Sequence, residues 1–148
     1  MLTLVDTGNI SHAIAKYAKG KEFDYKLFGK SIRGWKIAYG TDSPANKGFK
    51  MALDEYGYGI CFRPVSSAMP YYNPIVDMVL DAISPKELIV NLVTSNIQIL
   101  PLIMHLKDEG VKANIYAIKP HPLFITHASS VHYLEEYLHV AANTVEAI

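Results

Sequence analysis

"ELIVNLVTSNIQILPLIMHLKDEG", Glu87 to Gly110, is the stretch on which the fold class turns. Its first part, Glu87–Val93, is a nearly continuous apolar run of strand length, the pattern of a strand covered on both faces in a parallel sheet. Its last part, from Ile99 through Glu109, has helical spacing, and Gly110 ends it. Between the two lie Asn96 and Gln98, two neutral amides one residue apart at a strand-to-helix junction. In an open α/β sheet the carboxyl end of a strand is where ligands bind. Two uncharged amides therefore stand where chemistry usually requires charge.

The same alternation runs outward in both directions. Upstream, "LTLV" (Leu2–Val5) is a short strand closed by Asp6, and "NISHAIAKYAKG" carries Ile10, Ile14 and Tyr17 at helical spacing with Gly20 as its stop. "FDYKLFGKSIRG" reads as a short helix broken near Gly29, and "WKIAYG" (Trp35–Gly40) as the second strand. Ser43 and Pro44 form a cap-plus-proline start for a helix that ends at Gly57. "YGICFRP" (Tyr58–Pro64) is the third strand, and Asn73 and Pro74 repeat the helix start for "PIVDMVLDAI". Downstream of Gly110, "VKANIYAI" is a fifth strand, and the tail "SSVHYLEEYLHVAANTVEAI" reads as a helix. Strands spaced by helices of this length imply right-handed crossovers. The expected fold is α/β: a single three-layer domain over residues 1–148 with a mainly parallel sheet of about five strands.

Composition narrows the function classes. The chain has 148 residues, half of them hydrophobic and 19% charged, with formal net charge zero, which is ordinary for a soluble globular domain. Residues 1–64 hold ten Lys/Arg against six Asp/Glu, and residues 65–148 hold four against eight. One basic face is compatible with this balance, but a strong nonspecific nucleic-acid binder is not. Two arginines, Arg33 and Arg63, leave few bidentate phosphate clamps. The one cysteine, Cys61, cannot form an internal disulfide and suggests a reducing compartment. "MLTLVDTGNI" lacks the basic region and long apolar run of a leader, and no window reaches membrane-helix length. The expectation is a cytoplasmic protein with no membrane association.

The candidate site collects at the carboxyl ends of the strands. Asp6, in "VDTGN", terminates the first strand; it is either the cap of the following helix or a site residue. Asp42 ends "YGTD" after the second strand. Asp77 and Asp81 share a helical face four residues apart, with Asp77 nearer the helix start and Asp81 on the solvated edge. Lys47 and Lys50, with Arg33 and Lys36, supply the positive excess that could track a phosphate backbone. Tyr71 and Tyr72 could stack on bases or anchor a partner. His121, His127, His132 and His139 match no zinc spacing. "DTG" is neither a dinucleotide fingerprint, which needs three glycines, nor an aspartic-protease signature in so helical a chain.

"VDTGN", "GYGICFRP", "VDMVL" and "LIVNLVTSNIQILPLIMHLKDEGVKANIYAI" together resemble the NYN domain, a branch of the PIN-like metal-dependent ribonucleases, over roughly residues 2–118. That family's fourth-strand motif runs Ser-Gly-Asp-x-Asp-Phe-x-Pro-Leu, and Thr94-Ser95-Asn96-Ile97-Gln98-Ile99-Leu100-Pro101-Leu102 lies in the same register. By this resemblance Asp6 is a metal carboxylate with Asn9 its neighbour, and Asp77 is the helix carboxylate, although the lysine that often precedes it is missing. Asn96 and Gln98 occupy the positions of two catalytic aspartates, and Ser129 stands near a further acid. Such enzymes gather carboxylates around one or two Mg²⁺ or Mn²⁺ ions that activate water, and hard cations favour anionic oxygen. Two amides in place of two acids imply a degenerate site with no expected cofactor. The expected function is then binding of RNA or a protein partner through Asn9, Ser95, Asn96, Gln98, Asp42, Lys47 and Lys50, with self-association as a further expectation. The alternatives are an active Mg²⁺- or Mn²⁺-dependent ribonuclease using Asp6 and Asp77, and a nucleotide or small-ligand binding protein.

Overall fold

Fourteen elements build the chain in a computed structural model that describes residues 1–84 and 86–141. In order they are β1 (Leu2–Asp6), α1 (Thr7–Tyr17), β2 (Lys21–Phe23), α2 (Tyr25–Ser31), β3 (Trp35–Asp42), α3 (Lys47–Glu55) and β4 (Gly59–Pro64). These are followed by α4 (Ile75–Ile83), β5 (Ile89–Val93), α5 (Leu100–Asp108), β6 (Lys112–Ala117), α6 (Pro122–His127), β7 (Ser130–Tyr133) and β8 (Leu138–Val140). Six strands form one parallel sheet in the order β4-β3-β1-β5-β6-β7, and β2 pairs antiparallel with β8 in a small second sheet.

Both faces of the sheet are covered, which is why β1 and β5 are so apolar. Leu2, Leu4, Leu92 and Ile115 pack with Met78 of α4, Ile103 of α5 and Phe124 of α6. On the opposite face Val5, Ala38 and Val93 pack with Ile10 of α1, Phe28 of α2 and Leu53 of α3. Successive strand residues point to opposite faces, so one strand feeds both cores. Burying each such Leu, Ile or Phe contributes about 1.5–3 kcal/mol.

Asn91 is the exception in β5: a fully buried amide in the apolar run. Its Nδ2 donates to Thr3 Oγ1 (3.1 Å), and its Oδ1 accepts from Asn114 Nδ2 (3.1 Å). Ser130 Oγ in turn donates to Asn114 Oδ1 (2.8 Å). These residues face each other in register on β1, β5, β6 and β7. A one-residue slip would move every side chain to the other face and leave the chain of amides unpaired, so this polar rung specifies the register.

Several expectations change. The main sheet has six strands where about five were expected, because Ser130–Tyr133 adds β7 beside β6. The tail expected to be a helix is strand, a 3₁₀ turn at Leu134–Tyr137, and strand again; residues 142–148 of it lie outside the described residues. Gly29 does not break α2 but sits inside it, because a Cβ there would come within 3.3 Å of the Tyr58 ring. Pro44 opens a 3₁₀ turn, Pro44–Asn46, ahead of α3, and the Ser43 hydroxyl makes no capping bond. Gly57 and Gly110 do end their helices, with φ of +90° and +75°, angles that favour glycine.

Candidate functional site

The chain steps outward from β1 to β3 and β4, then returns to place β5 on the other side of β1. That reversal makes the gap between the carboxyl ends of β1 and β5 the topological switch point, the crevice where such sheets bind ligands. Asp6 and Asn9 reach it from β1, and Thr94, Ser95 and Asn96 from β5.

Asp6 caps α1: its Oδ1 accepts from the Asn9 backbone N–H (3.1 Å), and the carboxylate is buried. Burial pushes its pKa up to about 6, against the lowering effect of the Asn9 N–H and the Thr94 hydroxyl. Among the described residues it has no ion-pair partner. Next to it Thr7 Oγ1 donates to the Tyr39 carbonyl (2.7 Å). That bond requires glycine at position 40, where a Cβ would meet Thr7 Oγ1 at 2.8 Å and the Phe62 ring at 2.7 Å.

The amides and hydroxyls lace the strand ends together. Asn9 Oδ1 accepts from the Ser95 N–H (2.7 Å), across the switch point. Ser95 Oγ donates to the Ile118 carbonyl (2.9 Å) and accepts from the Ile118 N–H (3.0 Å), tying β5 to the end of β6. Asn96 Oδ1 accepts from the Gln98 N–H (3.0 Å) and opens the 3₁₀ turn Ile97–Ile99, while the Asn96 N–H donates to Thr94 Oγ1 (3.1 Å). Gln98 Oε1 accepts from Asn73 Nδ2 (3.3 Å), whose own Oδ1 accepts from the Ile75 N–H at the start of α4 (3.2 Å). The NH₂ groups of Asn96 and Gln98 have no acceptor among the described residues.

The other acids are already engaged. Asp77, in the first turn of α4, takes a two-pronged contact from Arg63: Nε to Oδ2 (3.1 Å) and Nη2 to Oδ1 (3.0 Å). Tyr72 donates its hydroxyl to the same Oδ2 (2.6 Å). Arg63 first, and then Tyr72, hold the Asp77 carboxyl below the usual carboxylate range. Asp42 pairs with Lys50 (2.8 Å), Asp81 accepts from the Tyr39 hydroxyl (2.6 Å), and Lys47 is exposed at the start of α3. Ser129 lies at the amino end of the sheet, its Oγ accepting from the Ala113 N–H (3.2 Å), away from the switch point.

This donor set does not fit a catalytic divalent ion. Asp6 stands with neutral amides, Asp77 already holds a guanidinium, and among the described residues no three His, Cys, Asp or Glu side chains come together as ligands. The histidines are dispersed in the same way: His121 accepts the Leu123 N–H, His132 stacks on Tyr116 at 4.3 Å, and His139 lies beside Glu22 and Asp24. Of the two tyrosines read as a stacking platform, Tyr71 is 83% exposed, while the Tyr72 hydroxyl is committed to Asp77.

One cavity opens at this edge and another lies away from it. One, of about 620 Å³, opens at the ends of β5 and β6 between Ser95, Ile97, Lys119, His121, Tyr17 and Tyr133. The other, of about 910 Å³, lies over α1, β2 and α3, away from the switch point, with Ile14, Phe23, Tyr25 and Phe49 on its walls. Sequence reasoning passed over Arg63 as a partner of Asp77, Thr94 as a partner of Asp6, and the Lys119–His121 cleft. The last had a legible signal: Pro120 and Pro122 bracket His121 directly after a strand, which marks a rigid turn at the sheet's carboxyl edge.

The fold has a solved counterpart. The chain is similar to the crystal structure of a protein of unknown function, VPA0982, from Vibrio parahaemolyticus RIMD 2210633, at 21% identity and a TM-score of 0.82, over 93% of this chain and 94% of that one. That likeness shows the α/β fold. No family model matches the chain, and no curated protein matches it.

Proposed function

We propose that this chain is a binding protein that takes single-stranded RNA across the carboxyl edge of its sheet without a metal ion. In terms of the resemblance, it is a PIN-like, NYN-type domain whose metal site has decayed. The observation that carries the reading is the two-pronged contact between Arg63 and Asp77. It neutralises the second carboxylate that a metal site would need and leaves Asp6 by itself. What the edge presents instead is neutral and donor-rich: the NH₂ groups of Asn96 and Gln98, with Lys47 exposed after β3 at the same edge of the sheet. Donors of this kind suit phosphate and base edges, and the lysine adds the sequence-independent part of the affinity.

The test is fluorescence anisotropy with a labelled oligouridylate in EDTA across a salt series. Binding should weaken with salt, with a log–log slope of roughly −0.7 per phosphate contact. Lys47→Gln should weaken it, and Lys50→Gln should do less, because Lys50 is already paired with Asp42. An absence of binding at low salt would refute the reading and favour a protein partner, including a second copy of the chain.

A further inference from the structure

Lys119 is the one non-glycine among the described residues with a positive φ, at 45°. Lysine has no intrinsic preference for that region, and such outliers persist where the surrounding structure holds them in place. Here the constraint is visible. Ile118 is clamped by both hydrogen bonds to Ser95, and Pro120–His121–Pro122 stiffens the chain directly after Lys119. The result is a cation held at the mouth of the 620 Å³ cleft, its Nζ 4.9 Å from the centroid of the Tyr17 ring. A second ammonium, Lys16, stands 5.1 Å from the same centroid. Neither lysine has an ion-pair partner among the described residues, and the residues lining the cleft include no Asp or Glu. Two ammoniums gathered on one ring raise the local positive potential, which favours an anion bound in the cleft beside Lys119.

The rest of the cleft adds directionality. His121 Nδ1 accepts the Leu123 N–H (3.1 Å), which leaves Nε2 as the ring's donor. Tyr133, 53% exposed, also lines the cleft and offers an aromatic face. An ammonium and an imidazole N–H beside an open aromatic ring are the combination that holds a phosphate and the base next to it.

We propose that this cleft binds one nucleotide unit, its phosphate at Lys119 and His121 and its base on Tyr133. The unit is a free mononucleotide or one residue of a bound strand, and in the second case the proposal rests on the RNA reading above. Ser95 lines the cleft, and its bonds to Asn9 and Ile118 make the cleft continuous with the switch point.

The experiment titrates uridine monophosphate, uridine and inorganic phosphate by calorimetry, and a labelled oligouridylate by anisotropy, all in EDTA, into the native chain and Lys119→Gly. Glycine adopts a φ of 45° without strain, so this variant should melt no lower than the native chain, which separates lost binding from lost folding. Tyr133→Ala serves as a second variant that keeps Lys119 and His121. The proposal expects the monophosphate to bind at least roughly tenfold more tightly than uridine or phosphate alone, and Lys119→Gly and Tyr133→Ala each to weaken it by roughly tenfold. If the roughly tenfold loss seen with the monophosphate is matched by the oligouridylate, the unit belongs to a strand. If the monophosphate binds in this way and the oligouridylate does not bind at all, the cleft is a free-nucleotide site and the RNA reading fails. If the oligouridylate binds the native chain and both variants equally and the monophosphate does not bind, the cleft proposal is overturned while the RNA reading stands. If nothing binds, both are overturned.

Discussion

Burying Asp6 at the end of β1, with no ion-pair partner among the described residues, makes the stability of this protein depend on pH. The carboxyl has a pKa of about 6 in the folded chain against an ordinary 3.8, so the folded state binds this proton more tightly than the unfolded one does. Its contribution is therefore fully present below about pH 4, is lost as pH rises through 6, and is level above that. The change is at most about 3 kcal/mol. Asp6→Asn keeps a capping oxygen for the Asn9 N–H and should flatten this slope, leaving the variant more stable than the native chain at pH 7. Urea denaturation at pH 4 and pH 7 measures it; an equal pH dependence in both proteins would show that Asp6 is not an isolated carboxylate. Asn9→Ala acts on a neighbouring bond. It strips the acceptor from the half-buried Ser95 N–H and should cost about 1–3 kcal/mol by the same measurement.

At the scale of elements, the junctions between strands and helices hold the site together, and two substitutions there distinguish backbone placement from side-chain chemistry. Gly40→Ala drives a methyl group to within 3 Å of Phe62 and Thr7. It should destabilise the chain by about 1–3 kcal/mol and displace α1 from β3, read as a lower melting temperature with weakened RNA binding. Arg63→Met instead frees Asp77 with little change to the backbone. Combined with Asn96→Asp and Gln98→Asp it should give a chain that binds Mn²⁺, whereas the two amide changes without it should give much weaker binding, as calorimetry would show. Equal Mn²⁺ affinity in the two variants would mean that the Arg63 contact does not block the site. Five of the six strands of the central sheet were legible, because β1, β3, β4, β5 and β6 carry enough apolar residues to be read as strands. β2, β7 and β8 were not, since Lys21–Phe23, Ser130–Tyr133 and Leu138–Val140 are three or four residues long with mixed polarity. In the tail, Val131, Leu134 and Leu138 imitate helical spacing, but the chain uses Leu134 as the buried residue of a turn.

For the whole molecule, the sequence reading of an α/β fold with a mainly parallel sheet holds, and a solved structure at 21% identity shares it. Among the described residues no helix is long and apolar enough to cross a membrane. Asp6, Asn9, Ser95 and Asn96 could be found in the sequence because each follows a buried strand that ends at the same edge. The pairing of Asp77 with Arg63 could not, because it joins residues 14 apart through a loop whose path the pattern does not encode. The Lys119 cleft depends in the same way on α1 and β7 meeting at the ends of β5 and β6. The measurement that bears most directly on the metal-independent reading follows end-labelled single-stranded RNA with the native chain, in EDTA and in Mn²⁺ side by side, reading retention and cleavage from the same samples. The account predicts equal retention in both and an intact strand throughout. Retention that requires Mn²⁺, or cleavage that disappears in Asp6→Asn, would contradict it.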